Sequence, residues 1–306
     1  MFRKITQKYI RYVFGYFKLI LKRIPILMEH PFYYFKEVLN ISKSLISSIL
    51  PQFPKLKLNC IVRQINGVNF KFYFNFAPRY RGMFFGLNSI PVVRVVLKYV
   101  KKGTCFIDVG ANLGYISAIG ASLVRKKGQV HSFEPVPRYF NKLRGFARLN
   151  EDYNININQY ALGEEIGTSN IDINKRLIGA NSLVSGLIDP HYIKETIEIE
   201  IKRLDDYLIE RQIDKVSLIK IDVEGFELPV LKGLTRFFDK NRNSLPPLII
   251  EITPAAYPLL GRKLKDLDEF MSQYNYQTYD SSEKHRIDIK KLNKLTDILF
   301  KQKREK

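Results

Sequence analysis

Short apolar segments alternate with longer amphipathic segments after Pro91, and this alternation restricts the possible folds more than any other feature of the chain. The apolar segments have the length and composition of strands, and the segments between them have helical periodicity. Continuously apolar strands separated by helices predict an α/β fold with a mostly parallel sheet that helices cover on both faces. The predicted strands are Thr104–Val109, Gly128–Phe133, Ile155–Tyr160, Ser217–Ile221 and Pro247–Ile252. The helical segments between them include Tyr115–Arg125 and Arg138–Asn150.

Turn signals and composition divide the chain of 306 residues into four predicted parts. Residues 1–54 form a basic amphipathic helical extension that ends at Pro51 and Pro54. Residues 55–87 hold a β-hairpin around Asn66-Gly67, a dipeptide favoured in two-residue type I′ turns. Residues 88–283 form the α/β domain, and the Lys-rich residues 284–306 complete it and end in a tail. A chain of this length can bury a sizeable core in one large domain with appendages.

The formal net charge of +20 is concentrated at the two ends of the chain. Residues 1–50 carry nine Lys/Arg and two acids, and residues 284–306 carry nine Lys/Arg and three acids. One helical stripe of the first 24 residues carries Lys4, Lys8, Arg11, Lys18 and Lys22, a pattern typical of helices that bind an anionic membrane surface. Packing of this segment on the domain itself explains the same pattern.

Two further features concern localisation. No uncharged run near the amino terminus approaches the roughly 18 apolar residues that a membrane-spanning helix requires. The two Cys residues are too few for a disulfide framework and lack metal-ligand spacing. We therefore expect a cytoplasmic protein that lies, if the basic extension binds lipid, on the inner face of a membrane.

A glycine loop directly follows the first predicted strand and reads Asp108-Val109-Gly110-Ala111-Asn112-Leu113-Gly114-Tyr115. Gly110 and Gly114 lack the G-x-G spacing of dinucleotide-binding loops, and an acid stands two residues before the first of them. Glu134 ends the second strand, where a carboxylate can accept hydrogen bonds from ribose hydroxyls. Asp108 would repel the pyrophosphate of NAD, whereas S-adenosylmethionine carries an ammonium and a sulfonium and no phosphate. The loop therefore predicts S-adenosylmethionine as the cofactor of a class I methyltransferase.

A second motif follows the fourth predicted strand and reads Lys220-Ile221-Asp222-Val223-Glu224-Gly225-Phe226-Glu227-Leu228. Together with FIDVGANLGYIS, SFEP and PLIIEI, the segment LIKIDVEGFELPVLKG resembles the FkbM-type methyltransferases over about residues 100–280. The resemblance implies a Rossmann-like O-methyltransferase that uses S-adenosylmethionine and acts on hydroxyls of sugars or of polyketide and related natural products. The basic residues 1–50 and the Lys-rich tail are not part of the shared core.

The resemblance also implies roles for individual residues. The predicted cofactor residues of the glycine loop are Asp108, Gly110, Asn112, Gly114 and Tyr115. Glu134 is expected at the ribose, and Ala161 and Leu162, after the third strand, are expected to border the adenine. Asp222 and Glu224 are expected near the transferred methyl group.

The predicted chemistry needs a base. Methyl transfer from a sulfonium is an in-line displacement, and a sugar hydroxyl becomes a good nucleophile only as its proton is removed. Asp222 and Glu224 are the candidate bases, and Glu251 at the end of the next strand is a third candidate. The same acids could instead hold a divalent metal, which we do not predict. In the polar loop Asp172–Tyr192, Asn181 and Ser182 either contact a polyhydroxylated acceptor or form a surface turn.

Two other functions compete with this interpretation. The charge of +20 suggests a nucleic-acid methyltransferase, but three acids beside the predicted site would repel phosphates. The strand end also lacks the Asn/Asp-Pro-Pro-aromatic segment usual in enzymes that methylate base amines, so a nucleic-acid partner is not expected. A non-catalytic protein that keeps the fold and binds a membrane or another partner is the second alternative. We expect a hydroxyl-bearing glycan or natural product as the acceptor.

Overall fold

The computed structural model describes residues 60–65, 68–73, 90–177 and 179–303. The chain divides into two compact units, residues 1–89 and residues 90–306. In the first unit, strands β1 (Cys60–Ile65) and β2 (Val68–Tyr73) pair in antiparallel orientation with Ile65 opposite Val68. These strands form the predicted hairpin. Its turn lies outside the described residues, as do the predicted N-terminal helices, the basic segment of residues 1–50 and the proline boundary.

The second unit is built on ten described strands. They are β3 (Cys105–Val109), β4 (Gln129–Phe133), β5 (Ile155–Asn158), β6 (Ala161–Leu162), β7 (Gly167–Asn174), β8 (Ile193–Lys202), β9 (Leu218–Ile221), β10 (Leu248–Ile252), β11 (Tyr276–Tyr279) and β12 (Thr296–Gln302). Seven of these strands form one sheet in the order β11-β12-β10-β9-β3-β4-β5. The five strands from β10 to β5 are parallel, whereas β12 is antiparallel to both of its neighbours. The mostly parallel α/β fold is the one that the sequence predicts.

Helices cover both faces of this sheet. They are α1 (Ile90–Tyr99), α2 (Tyr115–Val124), α3 (Pro137–Leu149), α4 (Leu204–Glu210), α5 (Glu227–Lys232), α6 (Thr235–Lys240), α7 (Ala256–Leu259) and α8 (Leu264–Ser272). Helices α1 and α2 contact each other, α2 contacts β3 and β4, and α3 contacts β5. Helices α4, α5, α6 and α8 bury their apolar side chains in the main core against alternate residues of the sheet, such as Ile107, Ile219 and Ile250.

The segment after β5 contains two long strands, and most of the predicted loop Asp172–Tyr192 lies between them. Strands β7 and β8 pair in antiparallel orientation, and β6 joins β8 to form a separate three-stranded sheet. Alternate isoleucines of β7 and β8 form an apolar face that packs on Val136 and Tyr139. Glu198 and Glu200, which alternate with the isoleucines of β8, are exposed.

The C-terminal segment contributes β12, which lies between β10 and β11. Ile298, Leu299 and Phe300 of this strand are fully buried. The Lys-rich segment is therefore part of the core of the sheet as far as Gln302. Among the helices of the described ranges, none is both long enough and apolar enough to cross a bilayer.

Candidate active site

The glycine loop (residues 110–114) lies at the carboxyl end of β3 and is bound to the end of β4. The N–H groups of Gly110 and Ala111 donate to the Phe133 carbonyl at 3.0 and 2.9 Å. The N–H of Asn112 donates to Glu134 Oε2 at 2.9 Å. Gly110 has a φ of 74°, in the left-handed region that glycine adopts without strain. A Cβ at Gly110 would lie 1.8 Å from the carbonyl oxygen of Asp222, so the glycine loop touches the loop that follows β9.

Glu134 is buried at the end of β4, and both of its carboxylate oxygens have partners. Oε2 accepts from Asn112, and Oε1 accepts from the N–H of Val136 at 2.9 Å. Burial raises the pKa of Glu134 to about 7, although these two hydrogen bonds oppose the rise. The carboxylate therefore shapes the glycine loop and titrates near neutrality.

The other predicted cofactor residues lie deeper in the domain. Asp108 is fully buried, where Ser117 Oγ donates to its Oδ2 at 2.6 Å and Lys220 Nζ lies 3.2 Å from its Oδ1. Tyr115 begins α2 and is buried. Ala161 packs beside Val136 and Tyr139, and Leu162 belongs to the main core. The roles expected of these residues stay predictions.

The three predicted catalytic acids come together at the carboxyl ends of β9 and β10. Asp222, Glu224 and Glu251 are each half-buried, and one carboxylate oxygen of each lies within 4.8 Å of the others. Oxygen ligands at this separation could hold a divalent cation. Asp297 of β12 stands opposite Glu251 in the sheet register and adds a carboxyl group that sequence reasoning missed. Only the antiparallel placement of β12 brings Asp297 to this position.

Crowding and burial change the titration of these acids. Burial raises the pKa of Glu224 to about 8, and the neighbouring Asp222 adds to the rise. Burial raises the pKa of Glu251 to about 10, with Asp222 again contributing. Asp222 Oδ2 lies 3.3 Å from Lys220 Nζ, so an ammonium group balances its charge. At neutral pH most Glu224 and Glu251 side chains therefore carry protons beside a charge-paired Asp222.

Glu224 adopts a backbone conformation that is unusual for a residue with a side chain. Its φ is 50°, a region that costs an ordinary residue about 1–2 kcal/mol. The buried Ser182 Oγ donates to the Glu224 carbonyl at 2.7 Å and accepts from the Val184 N–H at 3.0 Å. Gly225 follows with a φ of 104°. Backbone strain of this kind is concentrated at functional sites.

The insertion loop (residues 179–188) between β7 and β8 contacts both sides of the site. A Cβ at Gly179 would lie 2.8 Å from Asn112 Nδ2, and a Cβ at Gly225 would lie 3.2 Å from Val184. Asn181 Oδ1 accepts from the Asn174 N–H at 3.0 Å and anchors the loop to the end of β7. Asn181 and Ser182 are buried, so they do not form the exposed surface turn that was one of the two expectations. Ser182 instead supports the backbone of the acidic loop (residues 222–226).

Glu227 supports the backbone turn of this motif. It is fully buried at the start of α5, and its Oε1 accepts from the Gly225 N–H at 2.8 Å. The motif thus contains two acids that face the site, Asp222 and Glu224, and one that holds the intervening turn.

Replacing Ser182 with Ala is expected to reduce the turnover of the predicted methyl transfer, while the affinity for the predicted cofactor, S-adenosylmethionine, stays unchanged. The variant loses the hydroxyl that holds the Glu224 carbonyl, and the folded state should lose about 1 kcal/mol of stability. Turnover, calorimetric affinity and urea unfolding measure the three effects. Thr235→Ala is a matched control, because it removes a 2.7 Å bond to the Lys232 carbonyl outside the site. Equal turnover in the two variants would remove Ser182 from the active site.

The chain is similar to several known methyltransferases. The methyltransferase FkbM domain matches residues 108–278. Hexuronic acid methyltransferase AglP of Haloferax volcanii is 28% identical over 211 residues, which are 68% of this chain and 74% of AglP. The 31-O-demethyl-FK506 methyltransferase FkbM of Streptomyces tacrolimicus is 29% identical over 160 residues, which are 44% of this chain and 61% of that protein. An S-adenosylmethionine-dependent O-methyltransferase of Thermotoga maritima aligns over 80% of this chain and 79% of its own, with 12% identity and a TM-score of 0.37.

The sheet order, the glycine loop after β3 and the acid at the end of β4 define a class I S-adenosylmethionine-dependent methyltransferase. The chain belongs to the methyltransferase FkbM domain family, which matches more than half of its length. The predicted enzyme class, cofactor and family are confirmed.

Proposed function

We propose that the protein transfers the methyl group of S-adenosylmethionine to a hydroxyl of a sugar, a glycolipid or a related natural product. The observation that carries this proposal is the convergence of Asp222, Glu224 and Glu251 beside the glycine loop. The relatives support an oxygen acceptor, because one is named for a hexuronic acid and the other for 31-O-demethyl-FK506.

The glycine loop offers features that fit the methionine end of the cofactor. Gly110 and Gly114 let a ligand approach the backbone closely, since neither has a side chain. Asn112 Oδ1 is buried and accepts no hydrogen bond within the described residues. An ammonium group is a donor that this oxygen could bind. In the proposed arrangement Glu134 binds the ribose, and the bound cofactor supplies an electrophilic methyl group with a neutral leaving group.

Asp222 is the base in this proposal. Its side chain is 31% exposed, so an acceptor can reach it, and Lys220 balances its charge. The protonated Glu224 and Glu251 can donate hydrogen bonds to Asp222 or to the acceptor oxygen. As the oxygen attacks the methyl carbon, the carbon–sulfur bond breaks and the hydroxyl proton passes to Asp222. The products are a methyl ether and S-adenosylhomocysteine.

The first test measures cofactor binding and acceptor methylation in separate experiments. Calorimetric titration should show binding of S-adenosylmethionine and no binding of NAD. Tritium-labelled methyl transfer is then measured on methyl glycosides of glucuronic acid, glucose and rhamnose. A methyl ether survives mild alkali, whereas a methyl ester on a sugar acid does not, so alkali-stable label supports hydroxyl methylation. Release of the label by alkali would contradict the proposed acceptor class. Label found only in RNA that is added to the same assay would also contradict it.

Glu134→Gln is expected to weaken binding of S-adenosylmethionine by about 10-fold to 100-fold, the range for one lost hydrogen bond to a charged group. Because the cationic cofactor favours the ionised carboxylate, wild-type affinity should rise with pH as Glu134 ionises near its pKa of about 7. The affinity of the Gln variant should lack this component of the pH dependence. Calorimetry at several pH values measures both effects.

Glu164→Gln provides the control for this experiment. Glu164 pairs with Lys232 and Arg262 at 3.2 and 3.3 Å and has no contact with the glycine loop in the described residues. Its variant should bind the cofactor as the wild type does. Unchanged affinity in Glu134→Gln would remove Glu134 from the ribose role.

A further inference from the structure

Lys220 is a buried lysine in the middle of β9, at the centre of the sheet. Its side chain is 3% exposed. It stands opposite Asp108 of β3 in the parallel register, so both side chains project from the same face of the sheet. Ser117 of α2 contacts Asp108 on that face. A lysine in such a position must have partners, because an unpaired buried ammonium is strongly unfavourable.

Four oxygen atoms surround the Lys220 ammonium. Its Nζ donates to the carbonyl oxygens of Gly110 at 2.7 Å and Val109 at 3.2 Å. It also pairs with Asp108 Oδ1 at 3.2 Å and Asp222 Oδ2 at 3.3 Å. Burial opposes the charge, but the two carboxylates outweigh it and hold the pKa of Lys220 above its ordinary value. Lys220 therefore stays charged, donates hydrogen bonds to the two carbonyl oxygens and forms ion pairs with the two carboxylates.

These partners belong to the two loops that form the site. Val109 directly precedes the glycine loop and Gly110 begins it, and Asp222 begins the acidic loop (residues 222–226). The Asp222 N–H donates to the Val109 carbonyl at 3.2 Å, and the backbones meet where Gly110 lacks a side chain. The ammonium thus contacts the loop that would hold the cofactor and the carboxylate that would accept the proton.

We propose that Lys220 is a positioning residue, which fixes the glycine loop and Asp222 relative to each other and so aligns the bound methyl donor with the base. The proposal rests on the proposed roles of these two loops in methyl transfer. Lys220 itself contacts neither substrate nor reacting atoms in this role. Its effect is geometric, since displacement of reacting groups by about 1 Å can slow a reaction by about 10²-fold.

The test uses the Lys220→Met variant, which keeps the length of the side chain and removes the charge. Affinity for S-adenosylmethionine and for S-adenosylhomocysteine is measured by calorimetry, and local order by hydrogen–deuterium exchange in peptides covering residues 105–116 and 218–228. We expect affinity for both ligands to fall by about tenfold or more, the consequence of leaving two buried carboxylates without their cation. Exchange should rise in both peptides and stay unchanged in the rest of the sheet.

Lys232→Met is the matched control, because Lys232 pairs with Glu164 at 3.2 Å away from both loops. It should bind both ligands with wild-type affinity. If Lys220→Met does not fold, Lys220→Gln also removes the charge, and the same measurements are made on it with the same criteria. Wild-type affinity in a folded Lys220 variant, or exchange that rises uniformly through the sheet, would overturn the positioning role. A wild-type protein that binds neither ligand would instead contradict the proposed function.

Discussion

Asp222→Asn should lower the turnover of methyl transfer by about 10²-fold to 10⁴-fold, the contribution of a positioned general base. Asn keeps the shape of the side chain but cannot accept the hydroxyl proton. The Asp222 carboxylate lies on the surface of the site and not within the glycine loop, so the affinity for S-adenosylmethionine should change little. Single-turnover kinetics and calorimetry measure the two quantities separately.

The control for this variant is Asp214→Asn, which removes a carboxylate paired with Lys240 at 2.6 Å outside the site. It should have wild-type turnover. If Asp222→Asn also turns over normally, Asp222 is not the base, and a rate that rises with pH near 8 would indicate Glu224 instead. Loss of wild-type activity in EDTA and its recovery with Mg²⁺ would favour a metal held by the three acids.

Gly110→Ala should abolish cofactor binding and destabilise the domain. The left-handed φ of 74° costs alanine about 1–2 kcal/mol. The new Cβ would lie 1.8 Å from the Asp222 carbonyl oxygen, and overpacking of this kind typically costs a further 1–3 kcal/mol or more, about as much as a core insertion. Either the glycine loop or the acidic loop must move, and both are needed in the proposed site. Urea unfolding and calorimetry with S-adenosylmethionine measure the outcome.

Gly103→Ala separates the cost of the left-handed backbone conformation from the cost of the contact with Asp222. Gly103 has a similar φ of 78°, but a Cβ there would have no neighbour within 4 Å. Its variant should lose only the stability that the backbone conformation costs and should bind the cofactor normally. Equal losses in the two variants would show that the contact between the glycine loop and Asp222 is unimportant.

The parts of the site that the sequence predicts are those set by adjacent parallel strands. The carboxyl ends of such strands meet at one edge of the sheet, so the glycine loop, Glu134 and Asp222 could be placed together from their positions after the first, second and fourth predicted strands. Ile107 and Val109 face the main core, so Asp108 between them faces the other side of the sheet, where it is fully buried.

The other features of the site depend on contacts between distant parts of the chain and could not be predicted from the local sequence. Asp297 joins the acids only because β12 pairs with β10 in antiparallel register, and nothing in the local sequence specifies that register. Ser182 reaches the Glu224 carbonyl through the insertion between β7 and β8. The positive φ of Glu224 likewise has no local signal, since glycine follows it at 225 and does not occupy the position itself.

The position of β12 bears on how this enzyme matures during synthesis. Among the described strands β12 is the last to be made, yet it lies inside the sheet between β10 and β11. In the sheet β11 pairs only with β12, so a nascent chain that stops before Thr296 leaves β11 unpaired and Glu251 without Asp297 opposite it. A ribosome-bound chain therefore carries the glycine loop well before it carries the complete acid cluster. A chain that lacks β12 therefore exposes the edge of β10, where chaperones and proteases can bind.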